Sequence, residues 1–403
     1  MRIAVAVDAY SAAALPEALP ARVRATQRAL AKTFVREEAA SLAAAGVEVE
    51  LLVPLPERVG LLGLLAPQRD AEIVTRANED GFTERFAFWP YHPLLRRAPL
   101  ALLAARREAR ALGSLLDAAG PLDLLHAHFA LPTGCAAARV AAARGLPYLV
   151  TVHESQLEAT VRWPHLRRGI GRALAHAARV VAVSDFQRRR ILDAFPALEP
   201  KTVVVPNGVD VSRFTPRANI RTEGDARISF VGNLVEVKNV PLLLEAARRL
   251  AAEGFAFKLA IAGDGPLRSA LENAARDLGE RARFTGPLGR KEAATLLGER
   301  TDVLVLPSRV ETFGIVAIEA LASGVPVVAT RCGGPEETIT NDVGRLVPPG
   351  DAGALARAIR EVWEKRVGFP PARLADYARE RYARERVAAR LARLYEEVLR
   401  EHG

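Results

Sequence analysis

Several features that mark other classes of protein are absent or scarce in this chain. Its 403 residues include two cysteines, Cys135 and Cys332, too few for a disulfide framework or a cysteine-based metal cluster. No uncharged apolar stretch approaches the ~18 residues that a membrane-spanning helix needs. Residues 1–7 (MRIAVAV) read as a buried strand and lack a signal-peptide pattern. The sequence therefore favours a cytoplasmic globular protein.

Two phosphate-binding signatures are also missing. No Gly-x-x-x-x-Gly-Lys-Ser/Thr segment occurs, which excludes the P-loop hydrolases. No Asp-x-Asp pair occurs, which argues against a divalent cation on a diphosphate, so we expect no metal and no cofactor. The net charge of +9 suits an anionic nucleotide, an anionic membrane surface or a nucleic acid. Because no nucleic-acid module and no basic run with interleaved aromatics is present, we expect no nucleic-acid partner.

The order of apolar segments predicts two domains of the same kind. Strand-like runs alternate with helical patterns, which is typical of parallel sheets covered on both faces. The predicted strands are 3–7, 47–53, 122–126, 148–152, 180–183 and 202–205, then 227–231, 258–262, 283–285, 303–306, 325–329 and 344–347. Turn-forming residues 206–210 (PNGVD) and a polar stretch up to 224 indicate the boundary. The predicted domains are 1–206, with about 380–403 packing back on it, and 207–379.

Residues 54–121 give little pattern apart from a helix predicted over 100–116. That helix is amphipathic and has Arg106, Arg107 and Arg110 on its polar side. An ordinary solvated helix face is one interpretation, and docking on an anionic membrane surface is the other. The excess of basic residues in the first domain is compatible with either.

The most informative stretch is residues 307–326 (PSRVETFGIVAIEALASGVP), which follows a predicted strand. Glu311 lies in the loop, a helix is predicted after Gly314, and Glu319 falls inside that helix. Backbone N–H groups at a helix N-terminus bind phosphate, and glycine allows close approach. Carboxylates accept hydrogen bonds from sugar hydroxyls. A nucleotide sugar combines hydroxyls, a diphosphate and more hydroxyls, so the segment predicts that ligand.

Two further loops of the second domain are candidates for the same site. In 231–239 (VGNLVEVKN), Gly232 permits close backbone approach and Lys238 offers a positive charge to a diphosphate; alone, this would be an ordinary turn with a surface lysine. Residues 262–268 (AGDGPLR) nearly match a dinucleotide-binding loop, but Arg268 replaces the third glycine and the loop follows the second strand. A tight turn and a ligand contact both stay open there.

Three histidines follow strands of the first domain. His153 comes directly after 148–152, and ligands of open parallel sheets lie beyond the carboxyl ends of the strands. A place in the active site and a structural role are equally compatible with this position. For His126 and His128 we favour a structural or acceptor-side role over metal ligation, because no third ligand is evident.

Taken together, these residues resemble the family 4 retaining glycosyltransferases. The resemblance is strongest over roughly residues 145–350. Its matching segments are 151–153, 183–184, 205–210 with Phe214, 231–239, 263–266, 311–319, 324–330 and 333–336. It implies the α/β GT-B fold, in which two Rossmann-like, doubly wound parallel-sheet domains face a cleft and a C-terminal helix crosses back to the first domain.

The resemblance also implies an activity. A member of this family would transfer a hexosyl unit from a UDP- or GDP-sugar to a glycan or lipid-linked acceptor without a metal, retaining the anomeric configuration. The implied catalytic residues are Glu311 on the transferred sugar, Lys238 on the pyrophosphate and His153 facing the donor sugar or acceptor. The implied donor-binding residues are Gly232, Asn233, Asp264, the backbone amides of Phe313, Gly314 and Ile315, and Glu319 on the ribose.

Two departures from the family pattern keep alternatives open. Asn233 stands where the family usually has arginine, and the usual N-terminal Gly-Gly loop is missing. Residues 32–36 (KTFVR) resemble instead the subset of the family in polysaccharide assembly, and Lys32 or Arg36 could supply the missing charge. A non-catalytic, degenerate transferase acting as an assembly partner is one alternative. A dinucleotide oxidoreductase using 263–268 is the other.

Overall fold

A computed structural model of the chain describes residues 1–7, 33–60, 73–96 and 98–403. They divide into two compact units. Unit 1 comprises Met1–Pro206 and Glu385–Gly403, and unit 2 comprises Asn207–Arg384. Within these described ranges, no helix combines the length and apolar composition that crossing a bilayer requires.

The described residues of unit 1 form eight strands and six helices before the chain enters unit 2. The strands are β1 (Arg2–Ala6), β2 (Glu48–Arg58), β3 (Ile73–Ala77), β4 (Thr83–Tyr91), β5 (Leu124–His128), β6 (Tyr148–Val152), β7 (Arg179–Ala182) and β8 (Thr202–Val204). The helices are α1 (Thr33–Ala44), α2 (Ala101–Ala119), α3 (Cys135–Arg144), α4 (Leu157–Val161), α5 (Pro164–His176) and α6 (Asp185–Ala194). The strand order is β3-β4-β2-β1-β5-β6-β7-β8, and only the β3–β4 pair of this sheet is antiparallel.

Unit 2 has the same architecture with six strands. They are β9 (Ala226–Val231), β10 (Phe257–Ala262), β11 (Ala282–Gly286), β12 (Val303–Leu306), β13 (Val327–Thr330) and β14 (Gly344–Val347). Its helices are α7 (Val240–Ala252), α8 (Arg268–Ala274), α9 (Arg290–Arg300), α10 (Ile315–Ala322), α11 (Pro335–Thr338), α12 (Ala352–Glu364) and α13 (Pro371–Tyr382). The sheet order is β11-β10-β9-β12-β13-β14, with all pairs parallel. The chain ends in α14 (Arg384–His402).

Short helical turns connect several of these elements. They are Pro93–Arg96, Ala98–Leu100, Ala130–Gly134, Pro196–Lys201, Glu236–Lys238, Arg276–Arg281 and Arg366–Gly368. Two of them matter for the site, because Ala130–Gly134 follows β5 and Glu236–Lys238 follows β9. Both turns therefore lie beyond the carboxyl ends of parallel strands, where open sheets of this kind bind ligands.

The sheet of unit 1 buries a hydrophobic core on each face. Alternate residues of a strand point to opposite faces, so Ile3 and Val5 join one core while Ala4 and Ala6 join the other. Helices α2, α3 and α5 pack on the Ala4 side. Helix α1 packs on the Ile3 side together with α14, whose Tyr395 is fully buried there. The C-terminal helix is thus an integral part of the core of unit 1.

All twelve strands predicted from the sequence are present, and β6, β12 and β14 have the predicted bounds. Strands β3 and β4 were not predicted. Their sequences, IVTRA and TERFAFWPY, carry charges and a proline that weaken the strand pattern. The fully buried Glu84 of β4 is compensated by ion pairs with Arg36 of α1, 48 positions away, and with Arg76 of the neighbouring strand β3. The helix predicted over 100–116 is present as α2.

Unit 2 has a buried cluster of charges at the start of β12. The Asp302 carboxylate is 2% exposed and forms ion pairs with Arg217, Arg221 and Arg227 at 2.7, 2.8 and 2.9 Å. Burial alone would raise the pKa of Asp302, but hydrogen bonds from the arginines lower it well below its usual value. Asp302 therefore fastens the segment that enters unit 2 to the first and fourth of its strands, β9 and β12.

Candidate active site

The β12–α10 loop holds Glu311 in a fixed backbone position. Its N–H donates to the carbonyl of Cys332 (3.0 Å), and its carbonyl accepts from the N–H of Gly334 (2.7 Å). The two loops are so close at this point that a Cβ on Gly334 would lie 2.5 Å from backbone atoms of Phe313. Because residue 334 is a glycine, the loop that contains Cys332 and Gly334 can pack directly against the backbone around Glu311.

Lys238 and Glu311 meet in unit 2. Lys238 ends the turn Glu236–Lys238, and its ammonium group forms an ion pair with the Glu311 carboxylate, whose side chain is 11% exposed. The two loops are also joined by a backbone hydrogen bond of 2.8 Å from the N–H of Arg309 to the carbonyl of Val237. The structure thus brings together two residues that are 73 positions apart.

The N-terminus of α10 begins three residues after Glu311. Gly314 has a φ of +87°, which favours glycine, and it directs the chain into the helix. The N–H groups of Phe313, Gly314 and Ile315, named above as donors, have no hydrogen-bond acceptor among the residues that the structure describes. Backbone donors at a helix N-terminus in this condition form an anion-binding site when a cation lies beside them.

Glu319 lies on α10 and is 4% exposed. Its carboxylate forms an ion pair with Arg290, the first residue of α9, whose guanidinium also lies 5.0 Å above the ring of Phe214. Arg290 was not singled out from the sequence, because a basic residue at the start of a helix carries no signal of its own. The structure places it next to the residue expected to bind ribose.

The two glycine loops of unit 2 pack on each other. A Cβ on Gly263 would lie 1.9 Å from the carbonyl oxygen of Gly232, and one on Gly265 would lie 2.4 Å from that of Leu234. The loops are further joined by the N–H of Leu234, which donates to the carbonyl of Asp264 at 2.9 Å. Close packing of the loops is therefore a sufficient reason for both glycines, without any dinucleotide.

The predicted polar residues of these loops are open to solvent. The Asp264 side chain is 60% exposed, and its carboxylate accepts a hydrogen bond of 2.8 Å from the N–H of Gly265. Asn233 is exposed, and Gly232 is partly buried with its N–H bonded to the carbonyl of Ala262. These three residues lie on one pair of loops, and Lys238 lies on the same loop as Asn233.

A cluster of histidines lies at the carboxyl ends of β5 and β6 in unit 1. His153 is partly buried, and its Nε2 lies 3.0 Å from Nδ1 of the fully buried His128. Nε2 of His128 lies 3.1 Å from Oε1 of Glu38 on α1. The same carboxylate oxygen lies 3.9 Å from Nδ1 of His126. The expectation that no third ligand-type group accompanies His126 and His128 is therefore wrong, because α1 supplies one from a distant part of the chain.

His126 has both ring nitrogens hydrogen-bonded. Nδ1 lies 2.6 Å from the hydroxyl of Tyr395 on α14, and Nε2 lies 2.7 Å from Oγ1 of Thr151 on β6. Burial lowers the pKa of His126, and the charge of His128 lowers it further. Burial raises the pKa of Tyr395, as does the nearby carboxylate of Glu38. Near neutral pH the pair is therefore an uncharged imidazole and a phenol.

Arg36 and Lys32 were the residues considered as replacements for the missing arginine at position 233. The guanidinium of Arg36 forms ion pairs within unit 1, with Asp80 at 2.9 Å and Glu84 at 3.2 Å. Lys32 lies outside the described residues. The guanidinium of Arg36 therefore stabilises the β3–β4 edge of the sheet in its own unit.

The two cysteines are buried and do not have the character of nucleophiles. Burial raises the pKa of the Cys332 thiol to about 11 and that of Cys135 to about 12. Both thiols are therefore protonated near neutral pH. Cys332 contributes to the site through its carbonyl, which accepts the N–H of Glu311.

Comparison with known proteins identifies the class of this chain. Residues 31–213 match the model of glycosyltransferase family 4, and residues 212–381 match that of glycosyl transferases group 1. The chain is 33% identical over 275 residues to the 2-deoxystreptamine glucosyltransferase of Streptomyces kanamyceticus, covering 60% of this chain and 68% of that protein. It is 30% identical over 298 residues to the glycogen synthase of Mycobacterium tuberculosis, covering 72% of this chain and 69% of the synthase.

Solved structures share the fold. Sucrose-phosphate synthase from Thermosynechococcus elongatus superposes with a TM-score of 0.75 at 21% identity, covering 99% of both chains. Anabaena HepE in complex with UDP-glucose superposes with a TM-score of 0.67 at 18% identity, covering 98% of this chain and 100% of HepE. Two Rossmann-like units with parallel sheets and these matches define a glycosyltransferase of the GT-B fold. Within that class, the chain belongs to the family 4, group 1 glycosyltransferases.

Proposed function

We propose that this glycosyltransferase transfers a hexosyl unit from a nucleoside diphosphate sugar, without a metal and with retention of the anomeric configuration. Its acceptor is a glycan or a lipid-linked saccharide of cell-envelope or exopolysaccharide synthesis, assembled in the cytoplasm. The observation that carries the proposal is the ion pair between Lys238 and Glu311, because Glu311 lies in the loop that leads to the N-terminus of α10. This arrangement offers a cation, a carboxylate and unused amides to one ligand.

The chemical demand of such a transfer is the negative charge that develops on the departing nucleoside diphosphate. The ammonium of Lys238 and the N–H groups of Gly314 and Ile315 are fixed before the ligand arrives, which is the condition for strong electrostatic stabilisation. The α10 dipole adds positive potential at the same place. A diphosphate would replace Glu311 as the partner of Lys238, and the released carboxylate would accept hydroxyls of the transferred sugar.

Two arginines complete the proposed donor site. Arg290 holds the Glu319 carboxylate, which has further lone pairs with which to accept ribose hydroxyls. Arg309 is exposed, and in the described part of the chain its guanidinium makes no hydrogen bond or ion pair. Its backbone is bonded to the loop that carries Asn233 and Lys238. We infer that Arg309 supplies the second positive charge that Asn233 lacks.

The proposed acceptor-side residue is His153 of unit 1. It lies directly after β6 and remains partly exposed, whereas His126 and His128 are fully buried. An imidazole in that position can hydrogen-bond a sugar hydroxyl of the donor or of the acceptor. Relatives bear on the donor, because HepE has been solved with UDP and with UDP-glucose. UDP-sugars are therefore the first donors to test.

The same proposal includes a peripheral contact with an anionic membrane surface. Arginines of α2 and α3 line a cavity of about 490 Å³ in unit 1, and Leu103 beside them is 39% exposed. The arginines are Arg106, Arg107, Arg110, Arg139 and Arg144. Clustered cations beside exposed leucine are typical of helices that bind anionic lipid headgroups.

Vesicle sedimentation tests the membrane contact. We expect the protein to sediment with phosphatidylglycerol vesicles and not with phosphatidylcholine vesicles, and the double variant Arg106→Glu/Arg139→Glu to stay in the supernatant. The control Arg276→Glu/Arg281→Glu makes the same change of charge at exposed positions of unit 2. Equal loss of binding in both variants would reduce the effect to net charge and remove this part of the proposal.

Calorimetry and transfer assays test the donor site. Wild-type protein should bind UDP or GDP in the presence of EDTA and transfer sugar. Lys238→Ala should weaken diphosphate binding about 10–100-fold, because charge-assisted hydrogen bonds contribute about 1.5–3 kcal/mol. The matched control Lys258→Ala removes an exposed lysine of β10 and should change nothing. Glu311→Gln should abolish transfer while nucleotide binding persists.

Each alternative has its own outcome in these assays. Full activity in both site variants would eliminate the proposal. Binding of UDP without transfer or donor hydrolysis would identify a non-catalytic assembly partner. A thermal shift with a nicotinamide dinucleotide and none with UDP or GDP would favour an oxidoreductase. Inverted anomeric configuration in the product, determined by NMR, would refute retention.

A further inference from the structure

His153, the proposed acceptor-side residue, is followed towards the interior of unit 1 by His128 and the carboxylate of Glu38, to which the proposed function assigns no role. We propose that Glu38 and His128 are positioning residues, which orient the ring of His153 and hold it in one tautomer. The inference rests on the proposed function for its consequence in transfer. It rests on the geometry of unit 1 for the tautomer itself.

One face of helix α1 carries two side chains that contact these histidines. Phe34 and Glu38 are four residues apart and therefore lie on the same face of the helix. The ring of Phe34 meets that of His153 edge-on, with centroids 4.9 Å apart, while Oε1 of Glu38 reaches Nε2 of His128 at 3.1 Å. Phe34, which lies in the segment 32–36 noted in the sequence, therefore places an aromatic ring beside His153, and Glu38 one helical turn later places a carboxylate beside His128.

The three polar groups form a line from Glu38 through His128 to His153. His128 is fully buried: its Nε2 lies 3.1 Å from Oε1 of Glu38, within ion-pair distance but without the geometry of a hydrogen bond, and its Nδ1 is hydrogen-bonded to Nε2 of His153 at 3.0 Å. The negative charge of a carboxylate at this distance favours a proton on the nitrogen that faces it, so we infer that Nε2 of His128 carries the proton and Nδ1 presents a lone pair. That lone pair accepts from Nε2–H of His153. Nδ1 of His153 is then the acceptor nitrogen of the neutral ring.

The consequence concerns the hydroxyl that His153 would contact. A neutral imidazole protonated on Nε2 can accept a hydrogen bond only at Nδ1. A histidine with mixed tautomers would present a donor to the hydroxyl for part of the time. The carboxylate–histidine pair behind His153 removes that mixture, in the same way that outer partners fix the tautomer of functional histidines elsewhere.

Surrounding contacts keep both rings in place. The His128 and His153 rings are nearly parallel, with an interplanar angle of 15°, and Phe129 packs on His153 with centroids 4.9 Å apart. Phe129 has a φ of +71°, which is strained for a bulky residue, and its N–H donates to the carbonyl of Thr151 at 2.8 Å. The carboxylate of Glu154 accepts the N–H groups of the turn after β5. The strained backbone at Phe129 therefore helps to hold the ring of His153 in line with His128 and Glu38.

A metal ion is the competing occupant, because ligand atoms of Glu38, His126 and His128 lie within 4.8 Å of one another. His126, however, uses both nitrogens for Tyr395 and Thr151. Glu38 and His128 then remain as two ligands, whereas zinc sites have three or four protein ligands. The geometry points to the line of Glu38, His128 and His153 rather than to a metal centre.

NMR of ¹⁵N-histidine-labelled protein tests the inference without any substrate. In the wild type we expect His153 to show a protonated Nε2 and a pyridine-type Nδ1. Glu38→Gln should shift His153 toward a mixture of tautomers, whereas Glu37→Gln, its neighbour on α1, should leave it unchanged. Either a wild-type His153 protonated on Nδ1 or stoichiometric zinc in elemental analysis of the purified protein would overturn the inference. The wild-type measurement decides even if Glu38→Gln does not fold.

Kinetics supply the second readout. Glu38→Gln and His128→Gln should lower kcat about tenfold or more, with melting temperature and UDP affinity retained, because UDP binds to unit 2 in the proposed function. The pH profile should shift in both variants; the titratable groups facing His128 are Glu38, His126 and His153, with Tyr395 behind His126. An unchanged kcat and pH profile in folded variants would refute the positioning role. Absence of transfer in the wild type, with the expected tautomer, would refute the proposed function instead.

Discussion

Substitution of Gly263 by alanine probes the contact between the two glycine loops of unit 2. Gly263 has a φ of +140°, and an added Cβ would lie 1.9 Å from the carbonyl oxygen of Gly232. Ordinary contact between such atoms begins near 3.4 Å. The two loops must therefore separate by more than about 1 Å, an overpacking that costs about 1–3 kcal/mol.

The backbone adds a second cost. An L-residue in the left-handed region loses about 1–2 kcal/mol relative to glycine, so we expect Gly263→Ala to lower the free energy of unfolding by about 2–5 kcal/mol in total. Gly254→Ala is the matched control, because Gly254 has a φ of +72° and nothing within 4 Å of its added Cβ. The control should lose only the backbone contribution of about 1–2 kcal/mol.

Urea denaturation followed by circular dichroism measures the difference between the two variants, and calorimetry measures UDP affinity. Because Gly232 begins the loop that carries Lys238, Gly263→Ala should also weaken UDP binding, whereas Gly254→Ala should not. Equal destabilisation of both variants would show that backbone conformation alone requires glycine at 263. Wild-type UDP affinity in Gly263→Ala would show that the loop contact does not position Lys238.

Three more predictions concern charges. Asp302→Asn should destabilise unit 2 by about 3–5 kcal/mol at pH 7, since it breaks a buried ion pair. Because hydrogen bonds lower the pKa of Asp302, the difference in stability from wild type should shrink below about pH 4. Urea denaturation measures this difference, and a difference that does not change with pH would contradict the prediction. Burial lowers the pKa of His126, so below about pH 6.5 the unfolded chain binds one proton more than the folded chain. The free energy of unfolding of unit 1 should therefore fall by up to about 1.4 kcal/mol per pH unit in that range. A melting temperature that stays constant from pH 7.5 to 5.5 would contradict this prediction. Arg290→Leu should weaken UDP binding about tenfold by leaving Glu319 without its cation, and unchanged calorimetric affinity would remove Arg290 from the site.

The sheets were predictable because their strands are short apolar runs with a single explanation. Strand β6 (YLVTV) is buried along its whole length and has turn residues before it, so its bounds follow from composition. Strand β4 was missed because Glu84 lies within it. A buried carboxylate argues against a strand until its two arginine partners are known, and those partners lie on α1 and β3.

The candidate site was predictable only in part. The segment 307–326 indicates a phosphate site through Gly314 and two carboxylates, and the sequence also offered Lys238 for that ligand. The ion pair between Lys238 and Glu311 was not predicted, because it joins residues 73 positions apart. The function of Gly263 could not be decided from spacing, because crowding by Gly232 is a contact between separate loops. Glu38 gave no signal at all except its spacing from Phe34, since a glutamate on a helix is usually solvated.

The C-terminal helix bears on how this protein is made in the cell. Side chains of α14, among them Val387, Leu391 and Tyr395, complete a hydrophobic core whose members outside α14 all come from residues before position 206. A ribosome must therefore translate all of unit 2 before the nascent unit 1 can bury that face. We expect nascent chains stalled within unit 2 to expose an incomplete core, and a circular permutant with residues 385–403 moved ahead of residue 1 to fold its first unit during synthesis.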